Sequence, residues 1–250
     1  MEINNSNIII TGAGSGFGKA MSLYFASRSA LVFGVDINEH ALSKLKEEGG
    51  ENIHVFKCDV SNNSEVEKVV DEIFELNKNV NVLINNAGIM KNAPLINLLS
   101  RPDSRHSVEL WDKVIQVNQN AVFYMTRSVA NKMIRNRNKG VIISISSIAA
   151  KGNVGQTAYS ASKAAVEAMS KVWAKELGGF GIRSVSIAPG FINTMGTHDA
   201  LEEKMLAKWV EKTPLARTGE INEVVSAVQF AIENDFFNGE TLNVNGGLAI

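Results

Sequence analysis

Seven short runs rich in Ile and Val recur along the chain, with helix-forming stretches between them. They are Ile8–Thr11, Leu31–Asp36, Ile53–Cys58, Val82–Asn85, Val141–Ser146, Arg183–Ile187 and Thr241–Val244. Helical patterns fall near Gly16–Ser29, Glu39–Glu48, Glu65–Asn77, Glu109–Asn136, Ala158–Leu177 and Glu220–Glu233. A strand that is apolar on both sides needs cover on both faces, and regular strand–helix alternation supplies it. The expected fold is therefore α/β, a doubly wound parallel sheet with helices on both faces. No internal repeat, low-complexity tract or linker marks a boundary, so residues 1–250 read as one domain. Two stretches break the alternation: Pro94–Ser107, and Gly190–Pro214 before the last main helix. Loops of that length in a compact domain are usually functional or disordered.

The first strand runs directly into Thr11-Gly-Ala-Gly-Ser-Gly-Phe-Gly18, which opens the first helix. Glycines there let backbone N–H groups approach an anion, and a helix N-terminus adds favourable partial charge. The spacing is not that of a P-loop, because Ala20 follows Lys19, and Phe17 interrupts the usual Gly-x-Gly-x-x-Gly pattern counted from Gly12. The second strand ends at Asp36, placed to accept hydrogen bonds from the ribose hydroxyls of an adenosine. The same carboxylate repels a 2′-phosphate, and neither Gly14 nor Ile37 offers a cation to offset it. NAD is expected over NADP.

Tyr159 and Lys163 stand four apart in a stretch rich in Ala, Lys, Glu, Met and Leu, which places phenol and ammonium on one helical face. A free phenol, with a pKa near ~10, is a poor acid or base at neutral pH; an adjacent cation favours the phenolate. Ser146 and Ser147 end the fifth apolar run and can reach the same point. A Ser, Tyr and Lys converging at a strand end can polarise a carbonyl and pass a proton to its oxygen.

Composition narrows the alternatives. A net charge of −1 gives no basic excess for nucleic acid. The apolar runs are far shorter than the ~20 residues that span a bilayer. Met1-Glu-Ile-Asn-Asn5 lacks the pattern of a signal peptide, and the single Cys58 provides no disulfide framework, so a cytoplasmic setting is expected. His40, His54, His106 and His198 are scattered, and no metal site is expected. Ser160-Ala-Ser-Lys163 matches the Ser-x-x-Lys of acyl-serine enzymes, but their Ser-Asp-Asn and Lys-Thr-Gly partners are absent.

Together these stretches resemble the short-chain dehydrogenase/reductase family. The resemblance runs over the whole chain: Thr11-Gly-x-x-x-Gly-x-Gly18, Asp59-Val60, Asn85-Asn-Ala-Gly88, Asn118, Ser146-Ser147, Tyr159-x-x-x-Lys163 and Pro189-Gly190. It implies a Rossmann-type domain of seven parallel strands. It further implies that Gly12, Ser15, Gly16, Phe17 and Gly18 take the pyrophosphate end of the cofactor and that Asp59 and Val60 hold the adenine. Asn86, Ala87 and Gly88 then form the cofactor floor, Pro189 and Gly190 close the far end, and Ile192 and Thr194 flank the nicotinamide amide. Tyr159 becomes the acid/base, Lys163 the ribose anchor that tunes it, and Asn118 the holder of a water in the proton path. The usual family spacing from Ser to Tyr picks Ser146 as carbonyl binder. Aligning the strand pattern Ile142-Ile-Ser-Ile-Ser-Ser-Ile-Ala-Ala150 picks Ser147 instead. A one-residue slip turns every strand side chain to the other face, whereas a shorter loop costs little. Ser147 is therefore the expected residue.

Within the family the insertion Pro94–Ser107, the stretch Gly155–Lys163, Ile187-Ala-Pro-Gly190 and Glu233–Glu240 resemble the 3-hydroxyacyl-CoA dehydrogenase type-2 group, also called 17β-hydroxysteroid dehydrogenase type 10. The expected reaction interconverts a secondary alcohol and a ketone, with a 3-hydroxyacyl-CoA/3-oxoacyl-CoA pair as the leading substrate. Phe191, Ile192, Met195, Leu201, Met205 and Trp209 in the lid segment about 190–214 suit an acyl chain. Lys204, Lys208 and Lys212, with Arg101 and Arg105, form a basic rim for coenzyme A phosphates; a solvated helix face explains the lysine row equally well. An acyl-carrier-protein thioester would use the same rim, and a steroid or other secondary alcohol the same apolar wall. A non-catalytic dinucleotide sensor on this fold is the reading from another class, but such sensors commonly lack the Tyr, which is present here. The apolar residues Val122, Phe123, Met125, Val129, Met133, Val166, Met169, Val172 and Trp173 exceed what one sheet face covers, and the short tail Gly246–Ile250 could close a second interface; the resemblance, to a family that commonly pairs these helices across a two-fold axis, implies a homotetramer.

Overall fold

The computed structural model describes residues 1–99, 102–193 and 203–250. Seven strands form one parallel sheet: β1 (Asn7–Thr11), β2 (Leu31–Asp36), β3 (Ile53–Lys57), β4 (Val82–Asn85), β5 (Gly140–Ile145), β6 (Ile182–Pro189) and β7 (Thr241–Val244). Their spatial order is β3-β2-β1-β4-β5-β6-β7. The chain winds outward from β1 to β3, then returns to pair β4 on the other side of β1. That reversal leaves a crevice at the carboxyl ends of β1 and β4, where open α/β sheets bind ligands.

Alternation within each strand divides the core. Ile8 and Ile10 face a layer containing Met21 and Phe25 of α1 (Gly16–Ser27), Leu45 of α2 (Glu39–Gly49), and Val225 and Val228 of the last helix, α8 (Ile221–Glu233). Ile9 faces the other way, onto Val66, Val70 and Ile73 of α3 (Asn63–Leu76) and Met125 and Val129 of α5 (Ala121–Arg135). All of these side chains are buried, so the sheet is covered on both faces as the uninterrupted apolar runs require.

Two stretches depart from the expected boundaries. The helix expected over Glu109–Asn136 is divided into α4 (Val108–Ile115) and α5 by a π-helical turn at Gln116–Asn120. Asn118 lies in that turn, fully buried. The stretch Gly190–Pro214 contains a helix, α7 (Glu203–Lys212), on which Met205 and Trp209 stand four residues apart; Leu201 lies outside the described residues. The remaining long helix, α6 (Thr157–Leu177), packs against β6 and α4. No helix among the described residues is long and apolar enough to cross a membrane.

Candidate active site

The crevice is stapled where β1 meets β4. Thr11 Oγ1 accepts hydrogen bonds from the backbone N–H of Asn86 (3.0 Å) and Ala87 (3.1 Å). Asn86 Nδ2 donates back to Thr11 O (2.9 Å) and Gly12 O (3.3 Å). The glycines between them are sterically required. Gly12 has φ +66°, and a Cβ there would lie 2.9 Å from Ala87 Cα; a Cβ on Gly18 would lie 2.0 Å from Gly12 O. No side chain caps the start of α1 at Ser15. Asp36, at the end of β2, is held by two backbone amides: Oδ2 accepts from Gly14 N and Oδ1 from Asn38 N, both at 2.9 Å.

Gly12, Ser15, Gly16, Phe17, Asp36, Asp59, Val60, Asn86, Ala87 and Gly88 together line a cavity of about 400 Å³. Gly18 lies beneath it, against Gly12. Among the described residues this cavity is also lined by Lys113 and Cys58, which the sequence did not single out. Burial and the carboxylates of Glu65, Asp59 and Glu72 push the Cys58 thiol up to about 12, so it stays protonated and unreactive. The glycine cradle, the helix N-terminus and the strand-end carboxylate fit the phosphates and ribose of a dinucleotide.

A second cavity, about 380 Å³, adjoins the first through Phe17, Asn86, Gly88 and Ile89. Ser146, Ser147, Tyr159, Lys163, Pro189, Gly190 and Ile192 line it. Thr194 lies outside the described residues. Lys163 is buried, and its Nζ donates to Ile145 O at 2.7 Å and stands 5.8 Å from the centre of the Tyr159 ring. The Ser147 hydroxyl neighbours the Tyr159 phenol and acts to lower it. Ser147 Oγ also accepts from Ala149 N at 3.1 Å, capping the short turn Ile148–Lys151. Ser146 is bonded elsewhere: its Oγ donates to Glu167 Oε1 at 2.8 Å. Asn118 lines neither cavity. Its Oδ1 accepts from Ile89 N at 2.8 Å and its Nδ2 donates to Ile89 O at 2.9 Å, so the amide grips both backbone polar groups of the residue after Gly88. A Cβ on Gly88 would stand 3.2 Å from Asn118 Oδ1 and 3.7 Å from Lys163 Nζ, which places all three at one point.

The electrostatics differ from the expectation that Lys163 draws the Tyr159 phenol down. Burial pushes Tyr159 above its ordinary value, opposed by the Ser147 hydroxyl. Lys163 is itself pushed down to about 8 by burial. Its ammonium lies toward Ile145 O rather than the phenol oxygen, and enclosure dominates both groups.

Gln156 was missed in the sequence. Its Nε2 donates to Asn92 Oδ1 at 2.9 Å and its Oε1 accepts from Asn153 Nδ2 at 3.1 Å, fixing a polar wall of the second cavity. Its position three residues before Tyr159, next to the start of α6, was the available signal. Among the described residues no group of three or more His, Cys, Asp or Glu is placed to hold a metal.

A cradle for phosphates thus opens onto a hydroxyl, a phenol and an ammonium beside a partly apolar wall. The family model described as short chain dehydrogenase matches residues 6–205. The chain is 38% identical to the 3-oxoacyl-[acyl-carrier-protein] reductase FabG of Thermotoga maritima, over all of both chains. It is 33% identical to the (3R)-3-hydroxyacyl-CoA dehydrogenase of Canis lupus familiaris, covering 99% of this chain and 98% of that one. The crystal structure of 3-ketoacyl-(acyl-carrier-protein) reductase from Brucella melitensis complexed with NADH superposes with a TM-score of 0.87 at 27% identity, over all of both chains. On motif, fold and full-length similarity, the chain belongs to the short-chain dehydrogenase/reductase family of oxidoreductases.

Proposed function

We propose that this chain reduces the ketone of a 3-oxoacyl thioester carried on an acyl-carrier protein, using a nicotinamide dinucleotide and preferring NAD to NADP. The observation that carries the reading is the convergence of Ser147, Tyr159 and Lys163 at the open end of a cleft whose other end is the glycine turn and Asp36. The coenzyme A thioester expected from the sequence gives way to the carrier-protein form, because the relative similar at 38% bears that name and the acyl-CoA dehydrogenase is similar at 33%. The basic-rim argument for coenzyme A is also weaker than the sequence suggests. Lys212 Nζ lies over the Trp209 ring, 5.0 Å from its centre, while Arg101 and the Lys204 side chain lie outside the described residues. The apolar wall is better supported: Phe191, which lines the second cavity, stacks on Trp209 of α7 at 4.9 Å. Met195, Leu201 and the Met205 side chain, expected on the same wall, fall outside the described residues.

In this reading residues 1–250 act as one domain, with 190–214 as lid. Gly12, Ser15, Gly16, Phe17 and Gly18 shape the pyrophosphate seat, Asp36 takes the ribose hydroxyls, Asp59 and Val60 the adenine, and Asn86, Ala87 and Gly88 the floor. Pro189, Gly190, Ile192 and Thr194 border the nicotinamide end. The bound dinucleotide supplies the hydride for the carbonyl carbon. Ser147 holds the carbonyl oxygen, and Tyr159 delivers the proton to it. Lys163 holds the ribose, and its positive charge favours the phenolate left behind. Asn118, through its grip on Ile89, keeps a route open for reprotonation.

The test compares acetoacetyl thioesters of acyl-carrier protein, coenzyme A and N-acetylcysteamine, each with NADH and NADPH. The carrier-protein thioester with NADH is expected to give the highest kcat/KM. Tyr159→Phe should lower kcat by about 10²-fold or more while leaving NADH binding in place, since only the proton donor is removed. Equal kcat/KM for all three thioesters would reduce the assignment to a general ketone reductase, and equal use of NADPH would overturn the argument from Asp36.

A further inference from the structure

Three consecutive residues at the end of β5 meet different points along α6, and the first two are hydrogen-bonded to it. Ile145 O accepts from Lys163 Nζ at 2.7 Å. Ser146 Oγ donates to Glu167 Oε1 at 2.8 Å, with Lys163 O a second acceptor at 3.3 Å. The Ser147 hydroxyl neighbours the Tyr159 phenol. The helix partners Tyr159, Lys163 and Glu167 follow at intervals of four, which aligns them on one face. The middle fastening differs from its neighbours in chemistry. Ser146 is 3% exposed, and its partner is a carboxylate, so the bond is charge-assisted and stronger than a neutral one. Glu167 does not line the cavity that holds Ser147, Tyr159 and Lys163.

We propose that Ser146 and Glu167 are positioning residues: their bond clamps the end of β5 onto α6 and so sets the approach of Ser147 to Tyr159 and of Ile145 O to Lys163. The inference rests on the reading of Ser147, Tyr159 and Lys163 as the reacting groups. It also accounts for the adjacent serines: both border the cavity, and the Ser146 hydroxyl is spent on the helix carboxylate. Releasing the clamp frees Ser147 and Ile145 together. Tyr159 then loses its neighbouring hydroxyl, and Lys163 loses the acceptor that fixes its ammonium.

The chain contains only three tyrosines, so a ¹³Cζ-tyrosine label reads Tyr159 directly once Tyr159→Phe has assigned its resonance. That titration is followed in the parent, Ser146→Ala, Glu167→Gln, the double variant and Ser146→Thr, beside NADH-dependent reduction of ethyl acetoacetate. Each single substitution is expected to raise the Tyr159 midpoint and to lower kcat by about three- to tenfold, as for residues coupled through one contact. The double variant should be no worse than the worse single, and Ser146→Thr, which keeps the hydroxyl, should return toward the parent. Multiplying effects in the double variant would overturn the clamp. So would a loss of thermal stability in both singles with Tyr159 titrating as in the parent. If Ser146→Ala abolishes turnover and Glu167→Gln does not, Ser146 is itself the carbonyl binder. A parent that reduces no ketone sinks the functional reading, while the tyrosine titration still decides the clamp.

Discussion

The same enclosure disfavours the charged form of both Tyr159 and Lys163. Burial raises the phenol and lowers the ammonium, and only the Ser147 hydroxyl works the other way. For Lys163 this has a consequence for stability. Its folded value of about 8 lies below the ordinary lysine value, so the unfolded chain binds more protons between the two. The penalty for enclosing the ammonium is full below about pH 8, shrinks as pH rises, and is gone above the ordinary lysine value. Stability of the cofactor-free parent should therefore rise relative to Lys163→Met across that window, by on the order of 3 kcal/mol. Denaturant unfolding of both proteins at several pH values between 7 and 11 checks it. A constant difference across the window would mean that Lys163 is not enclosed as described. Under the proposed mechanism the cost falls on the residue that the reaction needs charged, the usual trade of stability for function.

At the scale of elements, the turn between β1 and α1 carries the tightest constraint. With a Cβ only 2.0 Å from Gly12 O, Gly18→Ala cannot be accommodated without moving the backbone of the phosphate cradle. It should lower the unfolding free energy by about 1–3 kcal/mol and abolish quenching of protein fluorescence by NADH. Gly16→Ala is the useful contrast. Nothing lies within 4 Å of a Cβ there, and its strain comes only from φ +51°, so its loss of stability should be the smaller of the two. A Gly18→Ala protein as stable as the parent would contradict the packing of this turn. The turn was legible in the sequence because glycine spacing encodes contact with the backbone itself, and the five central strands were legible because each is buried on both faces, while the edge strands β3 and β7 are only partly covered. The π-helical turn at Gln116–Asn120 was not, since it keeps helical composition and leaves the flanking periodicity intact. Its purpose becomes visible only through Ile89, 29 positions away, whose backbone Asn118 grips. Gln156 and Glu167 were overlooked for the same reason: their partners Asn92 and Ser146 are remote in sequence.

For the whole molecule, the structure narrows the argument for assembly and relocates part of it. Val122, Met125, Val129, Met133 and Val166, counted in the sequence as surplus apolar surface, are buried within the subunit, because α5 and α6 pack on the sheet more completely than periodicity alone suggests. Leu248 of the C-terminal tail is likewise buried in its own chain. What stays outside on the α5 and α6 face is Phe123, 43% exposed, and Val172, 50% exposed. A second group lies by the β7 edge of the sheet, where Phe236 is 99% exposed and Phe230 and Phe180 are also open to solvent. Aromatic side chains dominate interface energetics, and a sheet edge left unpaired invites another chain. Two separate patches allow two different two-fold contacts, and two such contacts generate a closed tetramer. Light scattering at micromolar concentration should therefore give the mass of four chains. Phe123→Glu with Val172→Glu should reduce it to two chains, and adding Phe236→Glu should reduce it to one, each with the secondary-structure signal of the parent. A parent that scatters as a monomer would refute the assembly. A Phe236→Glu protein that stays tetrameric on its own would place the second contact elsewhere on the surface.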